Sequence, residues 1–215
     1  ALGRRALAFP TDVRKPEASR ALVEATIKEF GRLDILVNNA GGAHGHVGLA
    51  MMDLVKWDRD VQLNLSAAQY GSQAAIPWLK KTKGCIVNVS SMAGVNGTAG
   101  VGAYSAAKAG LQMLTKVMSS EWGVYGVRVN CVAPGMTATE ASVLNWGKIG
   151  YDPNEAAKKS FSLCRYGEMR EVSQAIVFFA SDAASYITGE TLAVNGGTHV
   201  AGLIDPESEG HEGGW

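Results

Sequence analysis

Cysteine is scarce in this chain. Three residues, Cys85, Cys131 and Cys164, lie far apart in 215 positions. They make no zinc-ligand spacing and leave an odd number for disulfides, so a reducing, cytoplasmic compartment is expected. An excess of charge is also lacking: 20 basic side chains balance 20 acidic ones. Gripping nucleic acid or an anionic membrane needs a basic face, so neither partner is expected. No apolar run approaches the ~20 residues that cross a bilayer. The opening residues show no secretory leader pattern. No G-x-S-x-G elbow occurs, which argues against serine hydrolysis. His44 and His46 flank Gly45 without a third ligand at a persuasive spacing, so no metal is expected.

What the chain has is apolar surface and glycine. Hydrophobic residues make up 47 %, and glycines number 26. The length suits one domain and is short for two. Short apolar runs alternate with helical patterns. The runs are Ala6 to Phe9, Leu33 to Val37, Cys85 to Val89, Val127 to Val132 and Thr191 to Val194. Between them, Pro16 can open a helix and Gly31 can close it. Asp53 begins a helical stretch to about Lys80, Ala103 one to Trp122, and Glu171 one to Ala180. Strands apolar on both faces, separated by helices, predict a doubly wound parallel sheet of the Rossmann-like α/β class. One domain is expected over 1–200, followed by a glycine-rich tail over 201–215.

Ligands of such sheets sit beyond the carboxyl ends of the strands. Asp12, Asn38 to Gly41, Ser90, Ser91 and Pro134 to Thr139 all follow strands. Tyr104 and Lys108 are four apart on a helix, which puts phenol and ammonium on one face. An ammonium nearby favours phenolate and should lower the tyrosine pKa from its usual ~10. That change suits a tyrosine to general acid–base work. Ser91, thirteen residues before Tyr104, can present its hydroxyl to the same crevice.

These residues, with Asn38-Asn39-Ala40-Gly41, Asn130 to Gly135, Ile187 to Glu190 and Asn195-Gly196-Gly197, resemble the short-chain dehydrogenase/reductase family. The likeness runs from about Ala6 to Gly197. It implies an NAD- or NADP-dependent oxidoreductase that interconverts an alcohol and a carbonyl. Tyr104 would be the general acid or base, Lys108 its partner and a holder of the nicotinamide ribose, and Ser91 a donor to the substrate oxygen. Asn64 would position a water in a proton relay. Asp12, with Val13, would meet the adenine. Asn38, Ala40 and Gly41 would pass the cofactor ribose. Pro134, Gly135, Thr137 and Thr139 would bracket the carboxamide and pyrophosphate. Homodimers or homotetramers built through the two long central helices and the last strand would follow.

Several residues keep a second reading. Asn38 can tie strands together, Asn64 can be a satisfied buried amide, and Thr139 can cap a helix. Ser90 rivals Ser91. Lys116 and Arg128 read as solvated charges. Val143, Leu144, Trp146, Ile149, Phe161 and Leu163, between Met136 and Gly167, suggest a lid over an apolar or mixed carbonyl substrate of steroid, terpenoid or acyl type.

One departure matters. The family opens with a strand, a T-G-x-x-x-G-x-G turn, a helix and a second strand, and none of these occurs here. The chain begins where the family's third strand stands, so on the order of 45 residues of the usual topology are missing. Ala6 to Phe9 would then have no strand to pair with. Two explanations follow: a fragment of a longer gene product, which is favoured, or a short chain with a crippled cofactor site acting as a non-enzymatic assembly or regulatory partner. The 215-residue chain alone is expected to bind NAD(H) or NADP(H) very poorly, since the phosphates lose a helix N-terminus. Micromolar binding by calorimetry would contradict that. The choice between the two cofactors lies on the absent second strand.

Overall fold

The structure, a computed structural model, describes residues 3–43, 45–140, 142–144 and 152–197. Trp146, Ile149, His44 and the expected tail lie outside them. Helix α1 (Pro16–Phe30) starts with proline at its first turn and ends on Gly31 in the left-handed region, φ 79°. Strand β1 (Ile35–Asn38) follows. Asp53 caps α2 (Leu54–Val61), its side chain accepting from the Lys56 amide. The helix continues through one π-helical segment, Gln62–Ser66, into α3 (Ala67–Thr82). Next come β2 (Cys85–Val89), α4 (Gly102–Trp122) and β3 (Arg128–Pro134). A small pair, β4 (Thr137–Ala138) and β5 (Gly167–Glu168), flanks α5 (Pro153–Ser160). Helix α6 (Met169–Ala180) and strand β6 (Thr191–Val194) complete the described fold.

The main sheet is parallel throughout, in the order β1-β2-β3-β6. Its layers follow from alternation along the strands. Ile86 and Val129 pack with Val23 of α1, Ala75 and Leu79 of α3 and Met118 of α4. On the opposite face, Val87 and Val132 meet Phe179 of α6. The result is the expected doubly wound three-layer arrangement. All four carboxyl ends point to one rim.

Ala6 to Phe9 departs from its expectation as a buried strand. It forms no strand, and Leu7 and Phe9 are exposed. No partner strand lies beside it among the described residues, so its backbone has no ladder to join. Arg128 is also corrected: its guanidinium donates to the carbonyls of Phe179 and Ser181 at 2.8 and 3.2 Å, holding the end of α6. A basic group there complements orphan helix carbonyls.

A buried polar chain crosses the sheet. Asn38 Nδ2 donates to Asn88 Oδ1 at 2.8 Å and to Ser72 Oγ at 3.0 Å. Asn88 Nδ2 donates to Thr115 Oγ1 at 2.9 Å, and Thr115 donates on to the Leu111 carbonyl. Asn88 is fully buried, while Asn38 keeps Ser72 and Thr115 keeps the Leu111 carbonyl as further partners. Asn88→Ala is expected to destabilise the fold by about 2 kcal/mol, the worth of two lost hydrogen bonds. Urea denaturation of the two proteins checks it; a loss no larger than that of an exposed substitution would contradict it.

Candidate active site

Four elements converge at the rim beyond β1 and β2. Lys108 sits one turn into α4 after Tyr104 and is only 3 % exposed. Its Nζ donates to the Val89 carbonyl at 2.7 Å and lies 5.7 Å from the Tyr104 ring centroid. Among the described residues that carbonyl is its one acceptor, so two ammonium hydrogens remain for a ligand. Gly41 runs beside it. A Cβ on Gly41 would fall 2.9 Å from Lys108 Nζ and 2.7 Å from Asn64 Oδ1. Only glycine lets the backbone pass there.

Asn64 belongs to the π-helical segment, a feature frequent at functional sites. It is buried. Its Oδ1 accepts from the Gly42 amide, and its Nδ2 donates to the carbonyls of Gly42 and Asp60, each at 2.9 Å. The satisfied-amide reading therefore describes its side chain, which braces the Gly41–Gly42 turn next to the lysine.

Ser91 caps the short turn after β2, its Oγ accepting from the Ala93 amide at 3.1 Å. That bond uses a lone pair and leaves the hydroxyl proton to donate. The serine side chain lies near enough to the Tyr104 phenol to draw its pKa down. Ser90, the rival, is buried and donates to the Lys108 carbonyl at 2.8 Å. Its hydroxyl is thus taken by α4.

The tyrosine pKa reverses the expectation drawn from spacing. Burial is the larger effect and raises Tyr104 above its ordinary value, with Ser91 opposing it. The ammonium does not act on the phenol here, because it turns toward Val89. The lysine responds more: burial lowers it to about 8, with a small opposing contribution from Cys131 on β3. Four-residue spacing put both groups on one helix face, but not head to head.

The other expected residues are distributed as follows. Asn38 spends its amide on the cross-sheet chain, so only its backbone faces the rim. Ala40 leads into Gly41 on the same turn. Asp12 lies half-exposed, both oxygens bonded to Arg14, whose guanidinium holds the carboxyl down to about 2. Val13 lies between them in the same turn, half-buried. Pro134 ends β3, and Gly135 follows where a Cβ would stand 2.8 Å from Asn195 Cα. Thr137 enters β4. Thr139 makes reciprocal bonds with Ser142, Ser142 N to Thr139 Oγ1 at 3.1 Å and Thr139 N to Ser142 Oγ at 2.8 Å, which is a capping arrangement. Phe161, read as a lid residue, is instead buried edge-on to Tyr166 with centroids 5.5 Å apart. Val143, Leu144 and Leu163 are exposed. Gln112 went unread in the sequence, although it continues the Tyr104–Lys108 stripe by another four residues. Its Nε2 reaches Ser90 and the Ser91 carbonyl.

A parallel Rossmann-like sheet with serine, tyrosine and lysine gathered at its carboxyl rim defines a nicotinamide-dependent oxidoreductase class. The comparisons with known proteins agree. A family model described as enoyl-(acyl carrier protein) reductase matches residues 1–199. Trans-4-hydroxycyclohexanecarboxylate dehydrogenase of Sinomonas cyclohexanicum is 39 % identical over 193 residues, covering 89 % of this chain and 70 % of that protein. The 3-oxoacyl-[acyl-carrier-protein] reductase FabG of Vibrio cholerae is 38 % identical over 200 residues, covering 93 % and 80 %. A putative short-chain alcohol dehydrogenase from Sinorhizobium meliloti superposes with a TM-score of 0.83 at 33 % identity, over 90 % of this chain and 76 % of that one. ElxO with NADP bound gives 0.83 at 27 % identity, over 87 % and 76 %. The chain belongs to the short-chain dehydrogenase/reductase family, whose members are NAD- or NADP-dependent oxidoreductases. The non-enzymatic alternative is not favoured by these relatives. No helix among the described residues is long and apolar enough to cross a membrane.

Proposed function

We propose that this chain carries the reaction centre of an enzyme that reduces a ketone, or oxidises the matching alcohol. The observation that carries the reading is the meeting of Ser91, Tyr104, Lys108 and the Gly41–Asn64 turn at one rim. In reduction the Tyr104 hydroxyl gives its proton to the substrate oxygen; in oxidation the phenolate takes it back. Ser91 donates to that oxygen and steadies its growing negative charge. Lys108, cationic below about pH 8, holds the cofactor ribose, and only a turn of its ammonium from Val89 toward the ring 5.7 Å away would let it stabilise the phenolate. A bound nicotinamide dinucleotide supplies or accepts the hydride.

The residues fit that cofactor in two places. The two spare hydrogens of the Lys108 ammonium suit a vicinal diol. The missing Cβ at Gly41 leaves a flat backbone edge beside it. Ala40, Asn38, Asp12, Val13, Pro134, Gly135, Thr137 and Thr139 stand at the ends of the elements around this rim and are assigned to the same cofactor. Asn64 holds the turn; a water on the Asp60 to Asn64 helix would complete a relay to Lys108.

The relatives are named for a cyclic hydroxy acid and an acyl-type oxo compound, so a substrate of mixed apolar and carboxylate or thioester character is the first to try. Self-association is supported by an apolar groove along α4 where Met113 and Val117 are exposed beside the half-buried Leu65, Tyr70 and Leu114. A reducing, cytoplasmic setting is supported by three unpaired cysteines. The test is turnover by the purified protein. Reduced nicotinamide should be consumed with 4-oxocyclohexanecarboxylate or a 3-oxoacyl thioester. Failure with both, and with a wider ketone panel, would overturn the reading.

A further inference from the structure

Gln112 extends the stripe Tyr104–Lys108 along α4. Its Nε2 donates to Ser90 Oγ at 3.0 Å and to the Ser91 carbonyl at 3.3 Å. Ser90 Oγ passes its own proton to the Lys108 carbonyl at 2.8 Å. The loop is also seated sterically. A Cβ on Gly94 would fall 2.6 Å from Lys108 C and 2.7 Å from Ala109 N, and 3.0 Å from Gln112 Nε2. Backbone therefore lies on backbone, and the glutamine amide closes one side of the contact.

A primary amide carries two hydrogens, so one side chain serves both acceptors. The two acceptors belong to consecutive residues, and the second is the serine that faces the phenol. Beyond the Lys108 ammonium on Val89 and the Ser91 side chain at Tyr104, the polar ties between this loop and α4 among the described residues are those of Gln112 and Ser90. We propose that Gln112, acting with Ser90, is a positioning residue that sets the Ser91 hydroxyl against Tyr104. The inference rests on reading Ser91 and Tyr104 as a working pair. It does not require that hydride transfer be the outcome.

The experiment reads the tyrosine directly. The chain is labelled with carbon-13 at the tyrosine ζ carbon, whose resonance responds to hydrogen bonding at the phenol. Tyr104 is assigned by the peak lost in Tyr104→Phe. The spectra are taken at one pH throughout, so a movement of the peak reports the substitution. Ser91→Ala marks the position reached when the serine bond is gone. Gln112→Met, which keeps size and removes the donors, should move the peak most of the way to that position. Ser90→Ala should do the same, and it serves as the second variant if the first fails to fold. The double variant Ser91→Ala/Gln112→Met should move no further than Ser91→Ala alone. A wild-type peak position in both Gln112→Met and Ser90→Ala, or additive movement in the double variant, would overturn the proposal. The peak reports geometry without turnover, so a catalytically silent protein would leave a positive result standing.

Discussion

Replacing Tyr104 with phenylalanine is expected to lower the enzyme's turnover by about 10²- to 10⁴-fold, the usual share of a general acid–base group. The ring stays and only the hydroxyl leaves. The half-buried aromatic keeps its packing on α4, and stability should change by no more than the one hydrogen bond to Ser91 is worth, about 1 kcal/mol. KM should move little, because the proton is needed in the transition state more than in the bound complex. Burial holds the phenol in its neutral form at neutral pH. Reduction, which needs the protonated tyrosine, should therefore hold its rate across neutral pH, whereas oxidation, which needs the phenolate, should climb as pH rises. Initial rates in both directions, with a circular dichroism melt as the folding control, check the whole statement. Near-normal turnover in the phenylalanine variant would remove Tyr104 from the mechanism.

Lys108→Met is expected to lose activity and yet gain stability at neutral pH. The ammonium is almost fully buried, and burial brings its pKa from 10.5 to about 8. A shift of that size corresponds to roughly 3 kcal/mol of cost for burying the charged form. The bond from Nζ to the Val89 carbonyl is lost in the variant, which returns about 2 kcal/mol of that. The net is a variant more stable by about 1 kcal/mol at pH 7. The pH dependence fixes the cause. Below about pH 8 the lysine is charged in both states, and the full cost is present. Between about pH 8 and pH 10.5 the unfolded chain holds the proton that the folded chain has released. Wild-type stability from this group therefore rises with pH across that window. The advantage of methionine shrinks there and reverses, since the carbonyl then keeps a neutral donor. Paired urea titrations at pH 7 and pH 10 read it. A difference that stays constant over that range would mean that Lys108 carries no buried-charge cost.

The two variants separate function from fold at adjacent turns of one helix. Phenylalanine costs chemistry at little cost to stability. Methionine costs chemistry while relieving a strain that the fold carries. A buried cation held by a single carbonyl is poor for stability and useful for catalysis. Its hydration has been removed and replaced by one fixed dipole, and its remaining hydrogens point where a ligand can use them.

Most of the architecture is written in local pattern. Pro16 and Gly31 bound α1 because one ring dispenses with an amide that the first turn does not need and one missing side chain permits a left-handed cap. Cys85 to Val89 and Thr191 to Val194 are strands in the structure at the residues where the apolar runs stand. Ala6 to Phe9 has the same composition and is no strand, because a strand needs a neighbour and composition records only its own side chains. The chain-wise order Ser91, Tyr104, Lys108 pointed to the rim, and so did the glycine of the Asn-Asn-Ala-Gly run.

What spacing determined, then, was which residues share a helix face or follow a strand, since those are properties of 3.6- and 2-residue periods. What tertiary structure decided was where the side chains end. It turned the Lys108 ammonium to Val89 and away from the phenol, spent the Asn38 amide on Asn88, gave Ser90 to α4 and left Ser91 free, and enlisted Gln112. It also reversed the direction of the tyrosine pKa. Charge–charge attraction needs the two groups to meet, whereas desolvation needs only that the surrounding chain close over them, and closure is a property of the assembled layers.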